Sequence, residues 1–227
     1  MVSQRLTKSW HITIMKRFVA IAGNIGVGKS TLTELLSRRL EWEPFFEAVN
    51  DNPYLSDFYE DMARWSFHSQ IYFLSRRLRH HWQLLQRAGS VVQDRTVYED
   101  AEIFACNLFR QGSMEERDYQ SYRELYDVVT TVLPPPDLIV YLRASVPTLK
   151  DRIKKRGRSY EKSISVAYLH SLNQLYETWI RDFSLCPVLT VPSDALDFVT
   201  NHHHLDMIAE KVLERLQGRE EVVFKDL

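Results

Sequence analysis

A glycine-rich turn followed by a lysine and a hydroxyl is the first group in this chain with the means to do chemistry. Within FVAIAGNIGVGKSTLTELL, Gly23, Gly28, Lys29 and Ser30 fit the spacing G-x-x-x-x-G-K-[ST]. Glycines let the backbone approach an anion and aim successive N–H groups at it, and the helix that follows adds its positive end. Lys29 has the reach and charge to meet the outer phosphates of a nucleotide, and Ser30 has the hydroxyl to ligate Mg²⁺. The turn says that a phosphate is held. It leaves open whether that phosphate throws a switch, drives a motor or is passed on.

A second cluster narrows the choice. Arg152-Ile-Lys-Lys-Arg156-Gly-Arg158 packs five cations into seven residues. Most charge runs are solvated helix faces. Beside a phosphate loop, this one reads as a mobile lid over a transferring phosphoryl group, whose charge spreads over its equatorial oxygens. A GTPase would carry Asn-Lys-x-Asp and an Asp-x-x-Gly switch, and neither is present. A motor or helicase usually ends an apolar run in Asp or Asp-Glu and has chain for a second lobe. Asp94 alone would satisfy the first condition.

The elements that must position these groups follow from the apolar pattern. Short buried runs at 18–23, 44–49, 90–95, 137–144 and 188–192 read as strands, and helical periodicity fills 29–40, 62–88, 98–110, 115–132, 146–156, 164–183 and about 204–216. Strands alternating with helices predict an α/β fold of P-loop type: a five-stranded parallel sheet flanked by helices, with the Arg-rich lid beyond it. Ligands of such sheets sit at the carboxyl ends of the strands. Gly23, Glu47 and Asp94-Arg95 each fall at such an end, so three strands deliver polar groups to one edge.

A length of 227 residues suits one such domain, expected over 18–227. The charges nearly cancel, 29 basic against 30 acidic, so no strong field draws the chain to nucleic acid or membrane. Two isolated cysteines, Cys106 and Cys186, without metal-like spacing, point to a reduced, cytoplasmic protein. No apolar run approaches the roughly 20 residues that span a bilayer, so a soluble chain is expected. Residues 1–17 have basic side chains and no acidic ones. They are short for an organelle-targeting peptide and are expected to be a disordered tail, or to precede a true start at Met15. His202-His203-His204 suggests a metal, but sequence neighbours do not share a helix face, and a solvated helix start is the expectation.

With these residues in view, the chain resembles the deoxynucleoside kinases, the group of deoxycytidine, deoxyguanosine and bacterial deoxyadenosine kinases. The resemblance runs from about Phe18 to the last helix, through GNIGVGKST, FFEAVNDNPYL, WSFHSQIYFLSRR, QDRTVYED, IKKRGRSYEKSI and CPVLTV. Asn52-Pro53-Tyr54-Leu55 and Trp65-Ser66-Phe67 look like the bacterial deoxyadenosine kinase branch in particular. The resemblance implies transfer of the ATP γ-phosphate to a deoxynucleoside 5′-hydroxyl, with deoxyadenosine favoured over deoxycytidine or deoxyguanosine. It implies that Gly23, Asn24, Ile25, Gly26, Val27, Gly28, Lys29, Ser30 and Thr31 hold ATP, together with the lid arginines Arg152, Arg156 and Arg158. Glu47 matches the general base, and Arg95 the group that steadies it and the 5′-oxygen. Asp94 matches the acid that holds Mg²⁺ beside Ser30. Where the family often has Glu-Pro-Val and Glu-Arg-Ser, this chain has Glu47-Ala48-Val49 and Asp94-Arg95-Thr96. The shorter Asp94 fits contact through water.

The pocket implied for the nucleoside lies over the helix at 62–88. Gln70 and Arg77, seven apart, share one helix face. Gln70 matches the base-reading glutamine, whose amide suits the amino group and ring nitrogen of adenine or cytosine. Arg77 and Asp100 match a pair that completes base recognition. Tyr59 and Glu161 match the pair on the sugar 3′-hydroxyl, and Phe104 and Trp65 match apolar walls. The segment 193–198 aligns with the loop that touches the ATP base. A homodimer through long helices is the family habit. Two other readings share the phosphate loop. A thymidylate-type monophosphate kinase has an acceptor whose charge Glu47 would repel, and a regulatory ATP-binding module has no use for an acceptor pocket.

Overall fold

The structure, a computed structural model, describes residues 16–46 and 51–217. Residues 1–15 of the tail expected over 1–17, and residues 47–50 including Glu47, lie outside the described residues; Lys16 and Arg17, expected in that tail, are bonded into the fold instead.

The described residues build a five-stranded, wholly parallel sheet in the order β2-β3-β1-β4-β5. The strands are β1 (Phe18–Gly23), β2 (Glu43–Phe45), β3 (Val91–Asp94), β4 (Leu138–Arg143) and β5 (Val188–Pro192). β1 is central and every one of its residues is buried. That is why FVAIAG reads as a continuous apolar run instead of an alternating one. Helices α1 (Lys29–Leu40), α2 (Leu55–Glu60), α3 (Met62–Leu85), α4 (Val97–Glu99), α5 (Cys106–Arg110), α6 (Glu116–Thr130), α7 (Val146–Arg156), α8 (Val166–Asp182) and α9 (His202–Gln217) cover it.

Local chemistry sets the ends that matter for the site. α7 starts with Pro147 in its first turn and stops at Gly157 in the left-handed region (φ 72°), so the lid begins where glycine ends the helix. Asp61 caps α3 by accepting from the Arg64 N–H. Lys16 also belongs to the fold, its Nζ donating to the Leu84 and Leu85 carbonyls at the last turn of α3, each at 3.0 Å.

The structure differs from the apolar pattern in four places. The strand expected over 44–49 is formed at Glu43–Phe45, and Phe46 has already left the ladder. α3 ends at Leu85 and not at 88, because the Gln86 N–H turns back onto the Gln83 and Leu84 carbonyls. The helix expected over 98–110 starts one residue earlier and contains a π-helical turn at Asp100–Ala105. α2 and a 3₁₀ turn at Ser159–Ser163 are additional elements, both too short to show a period.

Candidate active site

The phosphate loop joins the carboxyl end of β1 to α1. Gly23 is conformationally required: its φ is 146°, and a Cβ there would stand 2.6 Å from the Leu142 carbonyl oxygen of the neighbouring strand. Gly26 is equally confined, by the Leu149 carbonyl at 2.9 Å and the Ile153 side chain at 2.7 Å. The close approach of β4 and α7 therefore forces the glycines as much as the phosphate does. Lys29 is buried, and its Nζ donates to the carbonyls of Gly23 (2.8 Å) and Asn24 (3.1 Å). Ser30 donates to Asp94 Oδ2 at 2.5 Å, so the hydroxyl of α1 and the carboxylate ending β3 meet in front of the loop.

Not every loop residue faces a ligand. Val27 is fully buried in the core. The Asn24 amide points inward, donating to Asn173 Oδ1 (2.7 Å) and the Leu169 carbonyl (3.0 Å) of α8. These two residues can offer a phosphate only their backbone.

A cavity of about 220 Å³ opens in front of the loop. It gathers Lys29, Ser30, Asp94 and Arg95 from the sheet edge, Gln70 from α3 and Asp100 and Phe104 from the π-helical turn. Tyr59 of α2 and Arg156, Arg158 and Glu161 of the lid complete its wall. The π-helical turn holds Asp100 and Phe104 together on this wall. Arg95 sits in the left-handed region (φ 68°), and its guanidinium lies 4.3 Å from the Phe104 ring centre. The Tyr59 hydroxyl is held far above its ordinary range, by burial first and then by the neighbouring Tyr168 hydroxyl and Glu161 carboxylate. It is therefore a proton donor at any working pH. Tyr160 stacks on it at 5.9 Å.

Two described residues expected around the nucleoside stand outside this cavity. Arg77 lies behind the wall, its Nε 3.1 Å from Asp100 Oδ2 and its Nη1 3.2 Å from the Asp94 carbonyl. It can shape the pocket through Asp100. Trp65 is not on the wall; it stacks on Tyr54 at 5.7 Å with Arg64 over its ring.

The lid arginines separate. Arg156 and Arg158 converge on the buried Glu161, with Arg156 Nη2 2.7 Å from Oε1 and Arg158 Nη1 3.5 Å from the same oxygen. Arg152 is a strut instead, donating to the Val27 carbonyl and to Ser193 Oγ and O, each at 2.8 Å. It lines a second cavity, of about 600 Å³, bounded by Gly26, Gly28, Thr31, Lys155 and residues 193–199. Gly26, Gly28, Thr31 and Arg156 line both cavities, so the phosphate loop lies between them.

Some residues of the site leave little trace in the sequence. Glu99 is wholly buried and receives the Gly23 N–H at 3.1 Å and the Tyr176 hydroxyl at 2.7 Å. The Thr96-x-x-Glu99 spacing signals a capping box, which is formed, but not the contact to the phosphate loop. Tyr168, on the cavity wall, has no such signal. Among the described residues no cluster of His, Cys, Asp or Glu forms a metal cage, the triple histidine included. No described helix is long and apolar enough to cross a membrane.

A phosphate loop at the carboxyl edge of a parallel sheet, under an arginine-bearing turn, defines a P-loop kinase fold. The deoxynucleoside kinase family model matches residues 19–217, and the chain belongs to that family. It is 39% identical over 196 residues to the deoxyadenosine/deoxycytidine kinase of Bacillus subtilis (strain 168), covering 86% of this chain and 90% of that protein. It is 36% identical over 205 residues to the deoxyguanosine kinase of the same organism, covering 87% and 96%. In three dimensions it is similar to deoxyadenosine kinase from M. mycoides with the products dCMP and a flexible dCDP bound, at TM-score 0.78 and 33% identity, covering 87% of this chain and 99% of that one. The chain is thus an ATP-dependent phosphotransferase acting on deoxynucleosides. The monophosphate-kinase and regulatory-module readings fall away.

Proposed function

We propose that the protein phosphorylates the 5′-hydroxyl of deoxyadenosine by preference, then of deoxycytidine or deoxyguanosine, as a cytoplasmic salvage enzyme. The observation that carries this reading is the pair of cavities on either side of one phosphate loop, since direct transfer needs donor and acceptor held separately across the γ-phosphate. The larger cavity, with residues 193–199, takes the ATP base. The smaller takes the nucleoside, with Gln70 and Asp100 at the base, Tyr59 and Glu161 at the 3′-hydroxyl, and Phe104 against the ring. The relatives named for deoxyadenosine support the order of preference.

In the reaction, Glu47 takes the 5′-hydroxyl proton as that oxygen bonds to the γ-phosphorus. The bond to the β,γ-bridging oxygen breaks, and ADP leaves. Arg95 steadies the attacking oxygen, while Lys29, Arg156 and Arg158 face the charge on the phosphoryl oxygens. Ser30 and Asp94 offer a hydroxyl and a carboxylate in contact, hard oxygen donors that fit Mg²⁺ completed by waters and phosphate. When bound, that ion neutralises charge on the donor phosphates.

Incubation with Mg-ATP and a panel of deoxyadenosine, deoxycytidine, deoxyguanosine, thymidine, adenosine and the matching monophosphates tests the proposal. Product on deoxyadenosine first, with little on thymidine or adenosine, is the expected result. Equal rates on all nucleosides would remove the specificity assigned to Gln70 and Asp100.

A homodimer is also proposed. Trp82 on α3 and Leu125, Val128 and Val132 on and just after α6 are exposed apolar side chains, and α3 packs against α6. Sedimentation should give twice the chain mass. Replacing Val128 and Val132 with Glu should shift it to one.

A further inference from the structure

Glu99 holds more than its capping box requires. Its Oε2 accepts from the Thr96 N–H (2.8 Å) and hydroxyl (3.2 Å), which closes the first turn of α4. Its Oε1 points the other way. There it meets the Gly23 N–H at 3.1 Å and the Tyr176 hydroxyl at 2.7 Å, with Arg95 Nε at 3.9 Å. Donors stand at both ends of this side chain, so only a carboxylate, with an acceptor at each end, meets them all.

Gly23 is the first peptide of the phosphate loop. Its carbonyl accepts from Lys29 Nζ and lies 2.9 Å from the Tyr176 hydroxyl, which shares its single proton between that carbonyl and Glu99. Arg95 is held on the other side in its left-handed conformation, with its N–H bonded to the Ile21 carbonyl at 2.9 Å. One buried carboxylate oxygen therefore stands between the loop that grips the donor and the arginine that faces the acceptor.

We propose that Glu99, backed by Tyr176, is a positioning residue for phosphoryl transfer: it fixes the phosphate loop against Arg95 and so sets the separation of donor phosphate and acceptor hydroxyl. This rests on the roles given above to the loop and to Arg95. A misplaced near-attack geometry slows the chemical step more than it weakens binding of either substrate.

The test uses Glu99→Gln and Tyr176→Phe in the full chain. Glu99→Gln keeps the shape but turns an NH₂ toward one set of donors. Tyr176→Phe leaves the capping box and the stacking on Tyr141 intact. In both, kcat per folded molecule should fall about 10–100-fold, the usual effect of disturbing a supporting shell. KM for ATP and for deoxyadenosine should each stay within about threefold of wild type. The double variant should be little worse than the worse single one, because the two share one hydrogen bond. A lower unfolding midpoint with kcat per folded molecule within about twofold in both variants would overturn the proposal and leave Glu99 a structural cap. If Glu99→Gln does not fold, Tyr176→Phe decides alone by the same criterion. Wild-type protein that phosphorylates no deoxynucleoside would overturn the underlying reading instead.

Discussion

Replacing Asp100 with alanine should destabilise the fold by about 3–5 kcal/mol, the usual result of breaking a buried ion pair from one side. Both side chains of the Arg77–Asp100 pair are 3% exposed, and Arg77 meets Asp100 through Nε at 3.1 Å and Nη2 at 3.4 Å. Without the carboxylate, the guanidinium stays out of water and loses the charge that offsets its own. The loss should appear as a lower urea midpoint at unchanged slope. Arg77 also donates to the Asp94 carbonyl, so the end of β3 loosens with it. A second variant separates stability from recognition. Arg77→Met with Asp100→Leu replaces the pair by apolar groups of similar size, which is commonly neutral or stabilising. It should recover most of the lost stability and still fail to phosphorylate deoxyadenosine, because Asp100 lines the cavity proposed for the nucleoside. A stable double variant with unchanged rates and base ranking would remove the pair from base recognition.

What the sequence made legible was local, and the illegible remainder was contact between distant segments. The bounds of β1, α1, α7 and β5 are those the pattern predicts, because each is fixed by neighbours in sequence: a glycine turn between β1 and α1, Pro147 and Gly157 around α7, an apolar run in the strands. The phosphate loop and the Ser30–Asp94 contact follow from motif and topology together, since parallel β1 and β3 are adjacent and end at one edge. Arg152 shows the limit. It belongs to the same basic run as Arg156 and Arg158, yet it bonds Ser193, forty-one residues away, and braces the loop from behind. The Glu99–Tyr176 bond spans 77 positions, and nothing in either neighbourhood encodes it. The π-helical turn is equally silent, because its residues, DAEIFA, keep ordinary helical composition.

Glu47→Gln should lower kcat about 10²–10⁴-fold, the range for a positioned proton transfer, equivalent to roughly 3–5 kcal/mol of transition-state stabilisation. β2 ends at Phe45, whose parallel partner is Gln93, one residue before the Asp94 that meets Ser30. β2 therefore ends at the edge where Asp94 and Arg95 line the cavity, and Glu47 is two positions beyond Phe45 in the sequence. The amide of glutamine can still accept a hydrogen bond from the 5′-hydroxyl, so nucleoside binding should persist. It cannot take the proton, so the attacking oxygen must lose it unaided. ATP affinity should stay near wild type, because the phosphate loop is built on β1 and α1 and braced by Arg152 and Ser193. Turnover at saturating substrates and an equilibrium titration with ATP read the two quantities separately. Unchanged turnover would exclude Glu47 as the base, and lost ATP binding would make it a support of the loop. A fall in turnover alone assigns it the proton.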